Sequence, residues 1–260
     1  MEIFLNPNAW IALLTLTFLE IVLGIDNIIF ISIATGKLPE QKRKKATKIG
    51  MFLAMFMRIA LLLGITVLIA MKEPWFTIDL SWLSAKISGQ SIILFLGGVF
   101  LIYKSTKEIH EKVEEKGEEE KELKKTAAKS FSSVIVQIIL IDLVFSFDSI
   151  LTAVGMTNGV EGAIYIMITA VVVSVLIMMQ FAVPVGSFVN KHPSIQILGL
   201  SFLILIGFML VTESAHLANA SFFGNHVAVV PKGYLYFAIS FSLLVEVLNM
   251  KMSKNKKKVV

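Results

Sequence analysis

Apolar runs of membrane-spanning length dominate this chain, and no other feature restricts its fold so tightly. A helix needs about 20 mostly apolar residues to cross roughly 30 Å of hydrocarbon. Such runs are read at about Trp10–Ile33, Ala46–Ile69, Ile87–Lys104, Phe131–Val154, Ala163–Val185, Ile195–Leu217 and Gly233–Met250. They predict an all-α polytopic membrane protein with seven transmembrane helices. With 260 residues, 56% of them hydrophobic, the chain is expected to form one membrane domain without a separate soluble one. The first run lacks a basic flank and is too long for the apolar core of a cleavable signal, so it reads as a span.

Charge sets the expected orientation. Segments on one side hold 6, 8, 1 and 5 Lys or Arg residues, whereas the opposite loops hold only Lys72, Lys86 and Lys232. Basic loops stay cytoplasmic, so the N-terminus is expected outside and the C-terminus inside. Trp10, Trp75 and Trp82 all fall at the outer interface on this reading, where indole rings favour the headgroup level. The net charge of +5 is thereby a matter of topology, and nucleic acid is not an expected partner. The absence of Cys excludes disulfides and thiolate metal ligands. The segment 104–129 carries eight Lys and eight Glu, with pairs such as Glu108–Lys112 and Glu120–Lys124 in the order that supports a solvated helix.

Acids interrupt two of the apolar runs. Glu20-Ile-Val-Leu-Gly-Ile-Asp26-Asn27-Ile recurs, altered, as Asp142-Leu-Val-Phe-Ser-Phe-Asp148-Ser149-Ile at an offset of 122 residues. Each intramembrane acid costs about 2.5–3.5 kcal/mol on insertion scales. A single one would serve equally well as hydrogen-bonding glue between helices, but two matched pairs are not needed for that. Leu96–Ser105 also echoes Leu205–Ser214, with Gly98 against Gly207. The second and fifth runs show no convincing match. Three helices per unit make the second unit inverted, which predicts a 3+3 inverted repeat plus one C-terminal helix. Repeat one covers about 10–104, a charged cytoplasmic linker 104–129, repeat two about 131–217 and the extra helix 233–250. Inverted repeats with a midplane site are a recurring plan of secondary transporters.

On this plan Glu20 and Asp142 lie at the bilayer centre, Asp26 toward the cytoplasm and Asp148 toward the outside. Positions i and i+6 are about 120° apart on a continuous helix. A local unwinding near Gly24 and Ser146 is therefore expected, which would also free carbonyl oxygens as ligands. The donors on offer are carboxylates (Glu20, Asp26, Asp142, Asp148), the Asn27 amide and the Ser149 hydroxyl. These hard oxygens suit Mg²⁺, Ca²⁺ or Mn²⁺, whereas zinc and copper sites recruit His or Cys. Arg58, in mid-span, reads either as a counter-ion for the empty acids or as a snorkelling or packing residue. Glu213 and Glu246 are accessory candidates. His216 and His226 read as solvated rather than metal-gathering, and the twelve Met as packing or lipid-facing residues. An intramembrane aspartyl hydrolase would need only two acids sharing a proton, and an enzyme is not expected.

At these residues the chain resembles the TerC family of integral membrane proteins, named for tellurium resistance. The resemblance rests on Glu20-x5-Asp26-Asn27 and Asp142-x5-Asp148-Ser149-Ile150, and extends over essentially all seven helices. It implies Mn²⁺ efflux across the bacterial plasma membrane, or supply of metal to exported proteins at the secretion machinery. Carried over, Glu20, Asp26, Asn27, Asp142, Asp148 and Ser149 become the transport-site residues, with no cofactor besides the transported ion. A similar acidic pattern marks a cation/proton exchanger family linked to Ca²⁺ and Mn²⁺, where the residue after Asp is usually basic. Here it is Asn27 or Ser149, a departure that favours the TerC resemblance while leaving Ca²⁺ and H⁺ as alternative partners.

Overall fold

The computed structural model describes residues 7–114, 130–157, 160 and 162–256, apart from the side chains of residues 25, 26 and 253–256. The chain is mostly helical: α1 (Pro7–Gly36), α2 (Glu40–Leu63), α3 (Ile65–Ala70), α4 (Gly89–Glu114), α5 (Phe131–Met156), α6 (Ala163–Lys191), α7 (Pro193–Leu217) and α8 (Lys232–Lys256). Among the described residues six helices, α1, α2, α5, α6, α7 and α8, are long and apolar enough to cross a membrane. The expected third span, α4, is not one of them, since from Lys104 onward it turns charged. Large apolar side chains such as Leu14, Phe18, Leu63, Tyr234 and Phe237 remain exposed on the bundle, as lipid-facing residues would.

Several boundaries differ from the sequence reading, for local reasons. The second run is two helices, because α2 starts early behind Pro39 and stops at Gly64, a poor helix former. At the other end of the bundle the chain forms a small antiparallel sheet that apolar periodicity did not reveal. Its strands are β1 (Pro74–Asp79), β2 (Leu83–Ser88), β3 (Ser221–Phe222) and β4 (Asn225–His226), in that order. Ser84 pairs with Ser221 across β2 and β3, their hydroxyl oxygens 2.7 Å apart, and so joins two distant loops. β1–β2 and β3–β4 are local hairpins, and only the β2–β3 pairing, far along the chain, leaves no local signal. The pair Glu120–Lys124 lies outside the described residues. Glu108 is buried and salt-bridged to Lys37 and, at 3.3 Å, to Lys104, while Lys112 bonds Gln196. The start of the charged segment is thus packed against the bundle rather than fully solvated.

The helices pair extensively as α1 with α6, α4 with α7 and α2 with α5, while α8 packs mainly on α7. The α4–α7 crossing is reciprocal. A Cβ on Gly98 would stand 2.6 Å from the carbonyl oxygen of Gly207, and a Cβ on Gly207 would stand 2.7 Å from that of Gly98. Val211 flanks one side of the contact and Ile102 the other. Small residues here let two backbones touch, the usual device for close helix packing in lipid. The main core, built from all of these helices, surrounds the middle of α1 and α5.

Candidate cation site

Glu20 and Asp142 each fall about 2 Å along the axis from the middle of their helices, at 1.5 Å rise per residue. Both are buried, and α2 places buried Arg58 between them. Arg58 Nη1 donates to Glu20. Its Nη2 donates to Asp142 Oδ1 at 2.7 Å and its Nε to Asp142 Oδ2 at 3.2 Å. The planar guanidinium is suited to this two-point grip on a carboxylate. Asn27 Nδ2 donates to Oδ1 at 3.3 Å and Ser146 Oγ to Oδ2 at 3.0 Å, so Asp142 accepts four hydrogen bonds. An arginine 4% exposed, with both acids in its grasp, is a counter-ion; the snorkelling alternative is set aside.

One group in this cluster is left over. Asn27 is 6% exposed, and its Oδ1 has no hydrogen-bond partner among the described residues. A buried amide oxygen without a donor costs free energy, so it calls for an explanation. It is also a hard oxygen acceptor, and it lies next to a carboxylate.

The expected unwinding does not occur: α1 runs unbroken through Gly24 and α5 through Ser146. The two small residues have other work. Gly24 leaves room for the Met178 side chain of α6, and Ser146 uses its hydroxyl on Asp142, one turn back. Continuous helix then sends the second acid of α5 in another direction. Asp148 meets Lys232 Nζ at 2.6 Å, at the first residue of α8, and Glu213 of α7 lies beside this pair. A cavity of about 50 Å³ separates this outer group from the central one; Asn27, Arg58, Asp148, Ser149, Glu213 and Lys232 line it. A smaller void of about 20 Å³ lies on the opposite side, against Gly24, Asp142 and Met178, and Asn27 and Arg58 border both spaces.

The remaining candidates are placed as follows. The Asp26 side chain lies outside the described residues. Ser149 Oγ donates to the Ser146 carbonyl at 3.3 Å. Glu246 is half-buried on α8 and lines neither cavity. His216 Nδ1 sits 3.1 Å from the Val227 carbonyl oxygen, and His226 is exposed on β4. Among the described residues no three Asp, Glu or His side chains converge on one point. Sequence reasoning assigned Lys232 to a loop and missed its role. The signal was available, since it is one of only three basic residues in these loops and stands at the start of an apolar run.

Comparison with known proteins agrees with this architecture. Residues 5–260 match the model of the Integral membrane protein TerC family. The chain is 50% identical over 249 residues to the UPF0053 inner membrane protein YgdQ of Escherichia coli K12, covering 96% of this chain and 95% of YgdQ. It is 42% identical over 249 residues to a UPF0053 protein of Haemophilus influenzae, covering 96% of each chain. It is also 42% identical over 255 residues to the E. coli K12 inner membrane protein YoaE, covering 98% of this chain but 45% of YoaE. No solved structure matches the chain. With its membrane-length helices and relatives named for the bacterial inner membrane, this is a multi-pass inner-membrane protein. The chain belongs to the TerC family of integral membrane proteins.

Proposed function

We propose that the protein carries a divalent metal cation, Mn²⁺ foremost, out of the cytoplasm by alternating access through the acids of α1 and α5. The observation that carries this reading is Asn27 Oδ1, a buried oxygen acceptor without a partner among the described residues, beside the Asp142 carboxylate in mid-helix. In the state described, Arg58 and Lys232 stand where a metal would neutralise the acids. An arriving ion displaces Arg58 from Glu20 and Asp142 and takes Asn27 Oδ1 as a further ligand. Asp26 receives it from the cytoplasmic side. Asp148, freed from Lys232, hands it outward with Glu213. Asn27 and Arg58, which border both cavities, form the partition between the two sides. Each carboxylate exchanges metal for a proton, a role suited to intramembrane acids.

The topology belongs to this proposal: seven spans including α4, N-out and C-in, in two inverted units of three. The reciprocal Gly98–Gly207 contact supports it, because a two-fold-related pair of helices must meet through the same patch on each. So does the pairing of α1 with α6 and of α2 with α5, which exchange under such an axis. An acid dyad for hydrolysis is disfavoured, since a guanidinium stands between Glu20 and Asp142 where a shared proton would be needed.

Net flux of radiolabelled Mn²⁺ in liposomes holding the purified chain tests the reading, with Ca²⁺ and Mg²⁺ as competitors and lumenal pH followed. Flux that Mn²⁺ competes best, and that Glu20→Ala with Asp142→Ala abolishes, supports it. Preference for Ca²⁺ with counterflow of H⁺ selects the exchanger alternative. Binding without flux selects a metal-loading partner for secreted proteins, and flux intact in the double variant removes the site.

A further inference from the structure

The largest cavity described lies where α1 ends, α2 begins and α6 ends, one helical turn beyond the small void at Asp142. It measures about 390 Å³, within the range of ligand pockets. Arg43, Lys44 and Lys191 line it against the single acid Glu40, over a floor that includes Ala182 and Gly186. This lining is positive, which makes it a poor vestibule for a dication.

The donors available there can be counted from the hydrogen bonds. Thr35, Thr47 and Ser187 give their hydroxyl protons to helix carbonyls at 2.8, 3.0 and 2.8 Å. Arg43 Nε is fixed on the Leu38 carbonyl at 2.8 Å, which holds the side chain in place and leaves its Nη edge for another group. Among the described residues, that edge, two ammonium groups and the Asn190 amide remain to meet a ligand. The amino end of α2, without a side-chain cap, adds partial positive charge at the same level. A planar guanidinium with flanking ammoniums is a phosphate-recognising set, and an apolar floor suits the carbon skeleton joined to a phosphodiester.

We infer that this cavity binds a phosphate-bearing anion, either the headgroup of an anionic phospholipid or free phosphate. Basic pockets between spans at the cytoplasmic level take lipid headgroups in this way, and the proposed orientation puts the cavity at that level. The lining differs from that of the central acids in carrying net positive charge, and its test does not depend on metal transport.

Native mass spectrometry of the full chain released from detergent reads retained lipid directly, with phosphatidylglycerol and phosphatidylcholine offered in equal amounts. The wild type is expected to retain phosphatidylglycerol over phosphatidylcholine by about tenfold, equivalent to about 1.4 kcal/mol. Arg43→Gln with Lys44→Gln and Lys191→Gln should remove that preference. Val183→Trp, which fills the cavity while keeping every charge, should remove it too and decides the matter if the triple variant does not fold. Inorganic phosphate added in excess distinguishes the sources. Failure to displace the lipid identifies a headgroup site; displacement, or phosphate bound in place of lipid and lost in the same variants, identifies a free-anion site. Retention unchanged in either folded variant, or no discrimination together with no bound phosphate, overturns the inference.

Discussion

Arg58 holds both oxygens of Asp142, Nη2 to Oδ1 at 2.7 Å and Nε to Oδ2 at 3.2 Å, from a position sealed inside the helix bundle. The same guanidinium reaches Glu20 through Nη1. Breaking a buried ion pair by removing one partner costs about 3–5 kcal/mol, since the other charge is stranded. Arg58→Gln is therefore expected to be among the most destabilising single changes in the protein. Arg58→Lys should recover part of the loss, because an ammonium keeps the charge but not the two-point geometry. Adding Asp142→Asn to Arg58→Gln should restore stability relative to Arg58→Gln alone. Melting of the purified variants in one detergent checks all three.

Lys232 acts as a tethered cation on Asp148, and any metal at that acid must compete with it. Lys232→Gln is expected to tighten Mn²⁺ binding on the outward side by about tenfold, or about 1.4 kcal/mol. The same change should slow release and so lower maximal flux. Binding isotherms and flux measured on one preparation check both halves; weaker binding in the variant would assign Lys232 a merely structural part.

Gly98 and Gly207 make the same demand on each other. A methyl at either meets the partner's backbone, which cannot swing aside, so Gly98→Ala and Gly207→Ala should destabilise by similar amounts, about 1–3 kcal/mol each. Gly155, with open space around its would-be Cβ, provides the contrast. Gly155→Ala should stabilise α5 by about 0.5–1 kcal/mol through helix propensity. Thermal melting of the three variants tests the comparison, and unequal losses at Gly98 and Gly207 would weaken the case for an inverted repeat.

The helices were legible because membrane length imposes long apolar runs; boundaries moved where Pro39, Gly64 or charged residues decided them, and α6 also ran on through Pro184 to Lys191. The sheet was not legible as a unit, since its two local hairpins are joined only by the distant pairing of β2 with β3, as at Ser84 and Ser221. At the site, spacing brought out Glu20, Asp142 and Asp148, and mid-span position brought out Arg58. It misjudged how helix geometry would treat them. Gly24 and Ser146 looked like breakpoints, yet one admits Met178 and the other bonds Asp142, so both helices stay whole. Asp142 and Asp148 then face different partners, and Asp148 meets a lysine whose sequence neighbourhood looked like a loop.

Equilibrium Mn²⁺ binding followed by electron paramagnetic resonance tests the central claim most directly, because it reads the ion at its site without assuming direction or coupling. The wild-type chain is expected to bind Mn²⁺ saturably, with Glu20→Gln plus Asp142→Asn weakening binding by about a hundredfold, or about 2.8 kcal/mol. An unchanged isotherm in that double variant, folded as the wild type, would contradict the account.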